Sequence, residues 1–298
     1  MSMDLQGIFA PVVTTFYPNT GEVDVASFAA NLRAHIAAGL HGVVVSGSTG
    51  EAALLDATER SMLVDAAREM IPRDKVLLVG TGAESTRTCL ALTRDAAARG
   101  ADGVLVVAPH YYGPNMTPAA LRAHYLRVAD ESPVPVLLYN IPKYMHFSLP
   151  PALVEQLAQH ENIAGIKDSS GNRDLLASYI AIQSDTFAVF TGSAQLCQFA
   201  LESGARGGIL AVSLFAAGLT MEAWSAIQRG DGPAATAAQG AVTPLAAKIV
   251  GELGVAGVKA AMDRVGLHGG PVRSPLLPLD AQQSELVDEL LAAHSAAA

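Results

Sequence analysis

Short β-branched runs alternate with Ala/Leu-rich stretches of helical period through most of the chain, and there are eight such runs. A repeated strand-then-helix order leaves few foldable solutions, because successive strands run parallel and each crossover must cover a sheet face. The runs fall at 7–16, 42–46, 76–80, 103–108, 134–139, 163–167, 187–191 and 208–212, with helical stretches at 25–38, 58–70, 85–98, 118–129, 151–159 and 175–182. They are near-continuously apolar, as strands of a parallel sheet covered on its outer face by helices must be. Eight β/α units in about 215 residues fit an α/β fold closed as a (β/α)8 TIM barrel better than an open sheet. The barrel is therefore expected at 1–215. A C-terminal helical extension packed on it is expected at 216–298, where the strand signal stops. Breaks in that extension fall at Gly230-Asp231-Gly232-Pro233 and Gly269-Gly270-Pro271, and its last seven residues read as a fraying helix end. Gly39, Gly100 and Gly204 stand where helices should stop in a left-handed residue, and Asp24, Thr58 and Thr117 where N-caps belong.

Half of the residues are apolar, yet no apolar run approaches the roughly 20 residues of a membrane span. The first six residues carry Asp4 and lack the basic-then-apolar succession of a secretory signal, so a cytoplasmic protein is expected. A net charge of −9 and 5% aromatics argue against nucleic acid, which needs clustered cations or stacking platforms. Cys89 and Cys197 lie in apolar stretches without a C-x-x-C pair and read as buried small hydrophobes. A small-molecule enzyme is the class that remains.

In such barrels the active site is built at the C-terminal ends of the strands. There the chain delivers Gly47-Ser48-Thr49-Gly50-Glu51, Tyr111-Tyr112, Tyr139-Asn140, Lys167-Asp168-Ser169 and Gly192. Of five lysines, Lys167 alone closes a strand, behind the wholly apolar Ile163-Ala164-Gly165-Ile166. Desolvation there disfavours an ammonium and favours the nucleophilic amine that Schiff-base chemistry needs. The plainer reading is a lysine that snorkels to solvent or pairs with Asp168. Tyr139 ends the adjacent strand, where a phenol can relay protons; alone it would read as a tyrosine capping the core. The 47–51 turn offers two hydroxyls and successive N–H groups to a carboxylate, or is an ordinary glycine-rich turn. It lacks the Gly-Lys-Ser/Thr of a phosphate loop, and Gly80-Thr81-Gly82 is too short to mark a dinucleotide site. His110, His146 and Asp168 fall near strand ends without His-x-His or His-Glu-x-x-His spacing, so no metal is expected.

The turn at 47–51, Tyr111-Tyr112, Tyr139-Asn140-x-Pro142 and Lys167-Asp168-Ser169 together resemble the dihydrodipicolinate synthase/N-acetylneuraminate lyase family of pyruvate-dependent class I aldolases. The resemblance runs over 7–279. It implies that Lys167 forms an imine with pyruvate or another 2-oxo acid, that Ser48 and Thr49, with Gly47, hold its carboxylate, and that Tyr139 relays protons. It also implies Ser169, Gly192 and Ile209 as substrate-binding positions, and a homotetramer in which Tyr111 or Tyr112 reaches the neighbouring site. The imine is itself the electron sink, so the C3–C4 bond can break or form with no metal or cofactor.

The acceptor aldehyde is the open question. Dihydrodipicolinate synthases carry an arginine shortly after the Tyr-Asn-x-Pro turn, to hold the carboxylate of aspartate semialdehyde; this chain has Tyr144 there, in Lys143-Tyr144-Met145-His146. Lys143 offers a point charge but no bidentate fork. The stretch at 83–86, parts of 120–133, Gly192-Ser193-Ala194 and Gly269-Gly270-Pro271-Val272-Arg273 are most similar to the 4-hydroxy-2-oxoglutarate aldolases. The expected reaction is therefore cleavage of a 4-hydroxy-2-oxo acid to pyruvate and an aldehyde, with condensation of pyruvate and aspartate semialdehyde as the alternative. A relative that binds a 2-oxo acid without turnover is the third class, and intact Lys167, Tyr139 and Ser48-Thr49 weigh against it.

Overall fold

The computed structural model describes residues 5–295; Met1–Asp4 and the last three alanines of the expected fraying tail lie outside them. Strands β1 (Gly7–Pro11), β2 (Gly42–Val45), β3 (Val76–Gly80), β4 (Gly103–Val107), β5 (Val136–Asn140), β6 (Ile163–Asp168), β7 (Ala188–Thr191) and β8 (Gly207–Ile209) pair in parallel and in sequence order. β8 returns to β1, closing the barrel. The fold is the (β/α)8 barrel expected from the alternation.

Helices α1 (Val25–Ala37), α2 (Ala57–Met70), α3 (Thr86–Ala98), α4 (Pro118–Glu131), α5 (Pro142–Met145), α6 (Pro151–Leu157), α7 (Arg173–Ile180) and α8 (Cys197–Glu202) lie between the strands. α9 (Ala217–Gln228) follows β8 and packs on β1 and α8, which gives the ring its eighth helix, the four-residue α5 turn aside. Beyond it come α10 (Gly232–Leu245), a π-helical segment (Ala246–Glu252), α11 (Gly254–Arg264) and α12 (Ala281–Ser295). Pro244 near the end of α10 lacks an N–H, and the helix continues past it in the wider π form. The π segment and α11 contact the short turn Ala211–Leu214 that follows β8, so this layer sits at the C-terminal end of the barrel. No described helix is long and apolar enough to cross a membrane.

Beyond shifts of one or two residues at other element ends, three local expectations differ from the structure. β1 ends at Pro11, because Thr14 and Thr15 turn their hydroxyls to Gly50 O (2.7 Å) and Asp24 O (2.6 Å) and carry the chain out of the sheet. β8 stops at Ile209, and the apolar residues after it form a 3-10 turn in which Ser213 Oγ donates to Leu210 O. The cap of α2 is Asp56, not Thr58: Asp56 accepts the Glu59 N–H while Glu59 accepts that of Asp56, a reciprocal capping box that places Thr58 inside the helix. Asp24 and Thr117 do cap α1 and α4, and Gly39, Gly100 and Gly204 have φ of +89°, +92° and +98°.

His35 on α1 and His124 on α4 are buried, and burial lowers each pKa from 6.5 to about 4. Acidification therefore costs the fold about 3 kcal/mol per histidine, a cost that is absent above pH 6.5 and grows as pH falls toward 4, because the unfolded chain takes up the proton that burial denies the ring. Urea titrations from pH 7 to pH 4 should show that decline, and His35→Gln should make it shallower. An unchanged pH dependence in the variant would contradict the assignment.

Candidate active site

The register between β5 and β6 puts Tyr139 opposite Lys167 and Asn140 opposite Asp168. Lys167 Nζ donates to Tyr139 Oη at 3.3 Å and lies 4.4 Å from the centre of its ring; each residue is 5% exposed. Asp168 is engaged elsewhere, accepting from Asn140 Nδ2 and from Ser170 Oγ, both at 2.7 Å. Burial raises the Asp168 pKa and these two bonds oppose the rise. Lys167 therefore neither snorkels nor pairs with its neighbour.

Gly192, just past β7, is where the backbone must pass close to these side chains. A Cβ there would stand 1.9 Å from Ser169 Oγ and 2.9 Å from Lys167 Cε, so glycine is what lets both sit against the strand end. The structure thus gathers Lys167, Tyr139, Ser169 and Gly192.

The turn after β2 is closed by the Gly50 N–H to Gly47 O (3.0 Å) and the Glu51 N–H to Ser48 O (3.1 Å), and Thr14 Oγ1 pins Gly50 O from the end of β1. Ser48 and Thr49 are half-buried, and among the described residues their hydroxyls spend no hydrogen bond inside the protein. A cavity of about 990 Å³ opens beside the turn, with Gly47, Ser48, Tyr139, Lys143, Tyr144 and the first turn of α11 in its wall. Lys167 stands behind Tyr139 and is not itself in that wall.

Other expected positions lie apart. Ile209 is 1% exposed and pairs with Phe9 of β1 inside the barrel. Tyr111 and Tyr112 are exposed, stacked edge to face at 5.0 Å and outside the cavity wall. Their loop is held by Glu84 Oε2, which accepts the N–H groups of His110 (2.9 Å) and Tyr111 (2.8 Å). His110 faces that same carboxylate, and among the described residues no three metal-ligating side chains come together.

Tyr144 is exposed at the cavity rim, its phenol pushed up by partial burial and by the neighbouring Tyr139. The cations nearby are tied to main-chain carbonyls: Lys143 donates to Gly251 O at 3.0 Å, and Arg60 to Gly80 O and Ala52 O. Reading the sequence alone missed one feature. Glu51, at the end of the turn, forms a fully buried ion pair with Lys259 of α11, and no local spacing signals a pair whose members lie so far apart in the chain.

The profile of the Dihydrodipicolinate synthetase family matches residues 4–294. The chain belongs to that family. Its members are pyruvate-dependent class I lyases and synthases, which places the chain among the carbon–carbon lyases. The 4-hydroxy-tetrahydrodipicolinate synthase of Methanospirillum hungatei JF-1 is 34% identical over 292 residues, 97% of this chain and 99% of that one. The enzyme of the same name from Xanthomonas axonopodis pv. citri is 37% identical, over 97% of this chain and 95% of that one. Among solved structures, YagE, a prophage protein of the dihydrodipicolinic acid synthase family from E. coli K12 in complex with pyruvate, superposes with a TM-score of 0.92. It is 30% identical and covers 98% of this chain and 99% of its own.

Proposed function

We propose that Lys167 attacks C2 of pyruvate or of a 4-hydroxy-2-oxo acid and, with loss of water, forms an imine through which a bond between C3 and an aldehyde carbon is made or broken, respectively. The observation that carries this reading is the buried Lys167 amine against the Tyr139 hydroxyl, free of any carboxylate partner among the described residues. Tyr139 protonates the carbinolamine hydroxyl as water leaves and takes up or returns the proton of the aldehyde-derived oxygen. Ser48 and Thr49 bind the substrate carboxylate, with Gly47, Ser169, Gly192 and Ile209 shaping its surroundings. Loss of a C3 proton from the imine gives the enamine nucleophile, so neither metal nor cofactor takes part. The chain acts as a homotetramer in which Tyr111 or Tyr112 completes a neighbour's site, a role their exposure supports.

For the second substrate, the names of the relatives support condensation with aspartate semialdehyde. Tyr144, standing where dihydrodipicolinate synthases carry an arginine, supports a second reading, cleavage of a 4-hydroxy-2-oxo acid such as 4-hydroxy-2-oxoglutarate, because among the described residues no guanidinium takes that arginine's place: Arg60, in the cavity wall, is spent on Gly80 O and Ala52 O. Both are tested side by side: consumption of aspartate semialdehyde with pyruvate, and release of pyruvate from 4-hydroxy-2-oxoglutarate. Lys167-dependent condensation is the expected result. Lys167-dependent cleavage without condensation would transfer the assignment to the second reading, and neither activity would refute both.

A further inference from the structure

Lys259 of α11 is 1% exposed, and its ammonium has three partners. It stands 2.5 Å from Glu51 Oε1, donates to Pro271 O at 2.7 Å and lies 4.5 Å from the centre of the Phe16 ring. The other Glu51 oxygen accepts the Arg273 N–H at 2.8 Å. The Arg273 side chain grips both oxygens of Glu59 (2.7 and 2.6 Å), Leu54 O (2.9 Å) and Gly21 O (2.7 Å), and lies 4.2 Å from the same Phe16 ring. The loop that brings Arg273 here fits only because residue 269 is glycine, since a Cβ there would meet Lys259 O at 1.9 Å. Helix α11 and the loop after it, both distant in sequence from the turn, thus converge on its carboxylate.

A buried ion pair is a weak source of stability, because desolvation offsets most of the attraction; what it fixes well is geometry. Here the fixed residue is Glu51, which has a left-handed φ of +55° and whose N–H closes the turn onto Ser48 O. Glutamate seldom adopts that conformation unless its surroundings impose it. Ser48 and Thr49 hang from the same turn.

We propose that Lys259 and Arg273 are positioning residues for substrate binding: by holding Glu51, they set the Ser48-Thr49 turn at the geometry that grips the carboxylate of a 2-oxo acid. Neither touches the substrate. The proposal rests on the reading of Lys167 as the imine-forming residue.

The full-length chain is titrated with pyruvate in the presence of borohydride, and the half-saturating concentration for adduct formation on Lys167 is read alongside kcat. Lys259→Met should raise half-saturation about ten-fold or more while kcat at saturating pyruvate falls by less than about three-fold, a loss of binding rather than of chemistry. Lys259→Arg, which keeps the charge, should recover most of the affinity. The double variant E51Q/K259M buries no unpaired charge, so it should melt close to the wild type and still show the raised half-saturation. Wild-type half-saturation in the double variant would overturn the proposal even if Lys259→Met itself fails to fold. A wild-type chain that forms no adduct at any pyruvate concentration would instead sink the imine reading, and the positioning role with it.

Discussion

Replacing Lys167 with alanine is expected to lower pyruvate-dependent turnover by on the order of 10⁴-fold or more, since no other group can supply the covalent step. Lysines are scarce in this chain, and only this one lies in a barrel strand, next to its final residue, buried, with its nitrogen 3.3 Å from a phenol and, among the described residues, no ion pair to hold it. Lys143, the lysine in the cavity wall, is exposed and bound to Gly251 O, so it is poorly placed to take over. The variant should remain folded, because among the described residues the removed amine has Tyr139 as its one hydrogen-bond partner, and the barrel closes through backbone bonds. Steady-state rates with both candidate substrates, together with a melting curve, measure the effect. Residual activity within about ten-fold of wild type would remove the covalent mechanism.

Tyr139→Phe carries the second largest effect. The ring that packs 4.4 Å from the amine stays and only the hydroxyl goes, so the change isolates proton transfer from packing. Loss of a positioned acid–base group lowers kcat by roughly 10²–10⁴-fold. The imine should still form slowly at saturating pyruvate, because the amine itself is untouched. Full kcat in this variant would make Tyr139 a packing residue, which is what a tyrosine on an apolar strand end would otherwise be.

The strands could be read from the sequence because a parallel barrel needs apolar runs bounded by turns, and Val76–Gly80 matches its expected span in full. The apolar pattern overruns a strand where apolar or β-branched residues continue past the last bond to the neighbouring strand, as at Val13 to Phe16. There the Thr14 and Thr15 hydroxyls, not the sheet, decide the path. The pairing of Lys167 with Tyr139 was legible for a simple reason: residues ending adjacent parallel strands become neighbours through register alone.

What the sequence hid has one common cause. The Glu51 and Lys259 pair joins a loop to a helix across most of the chain, and a lysine on an amphipathic helix reads as a solvated charge until its neighbours are known. Tyr111 and Tyr112 were legible as a motif, yet their rings stand exposed, stacked on each other outside the cavity wall. The cavity wall is assembled from the approach to α2, the end of β5 and the start of α11, so the identity of Tyr144 alone does not fix a substrate.

The central claim is that one particular lysine becomes covalently bound to pyruvate. Incubating the chain with pyruvate, reducing with borohydride and mapping the modified peptide by mass spectrometry tests it directly. The account predicts one reduced pyruvyl adduct per chain, on Lys167, abolished by Lys167→Ala. No adduct, or an adduct on Lys143 at the cavity wall that survives in Lys167→Ala, would contradict it.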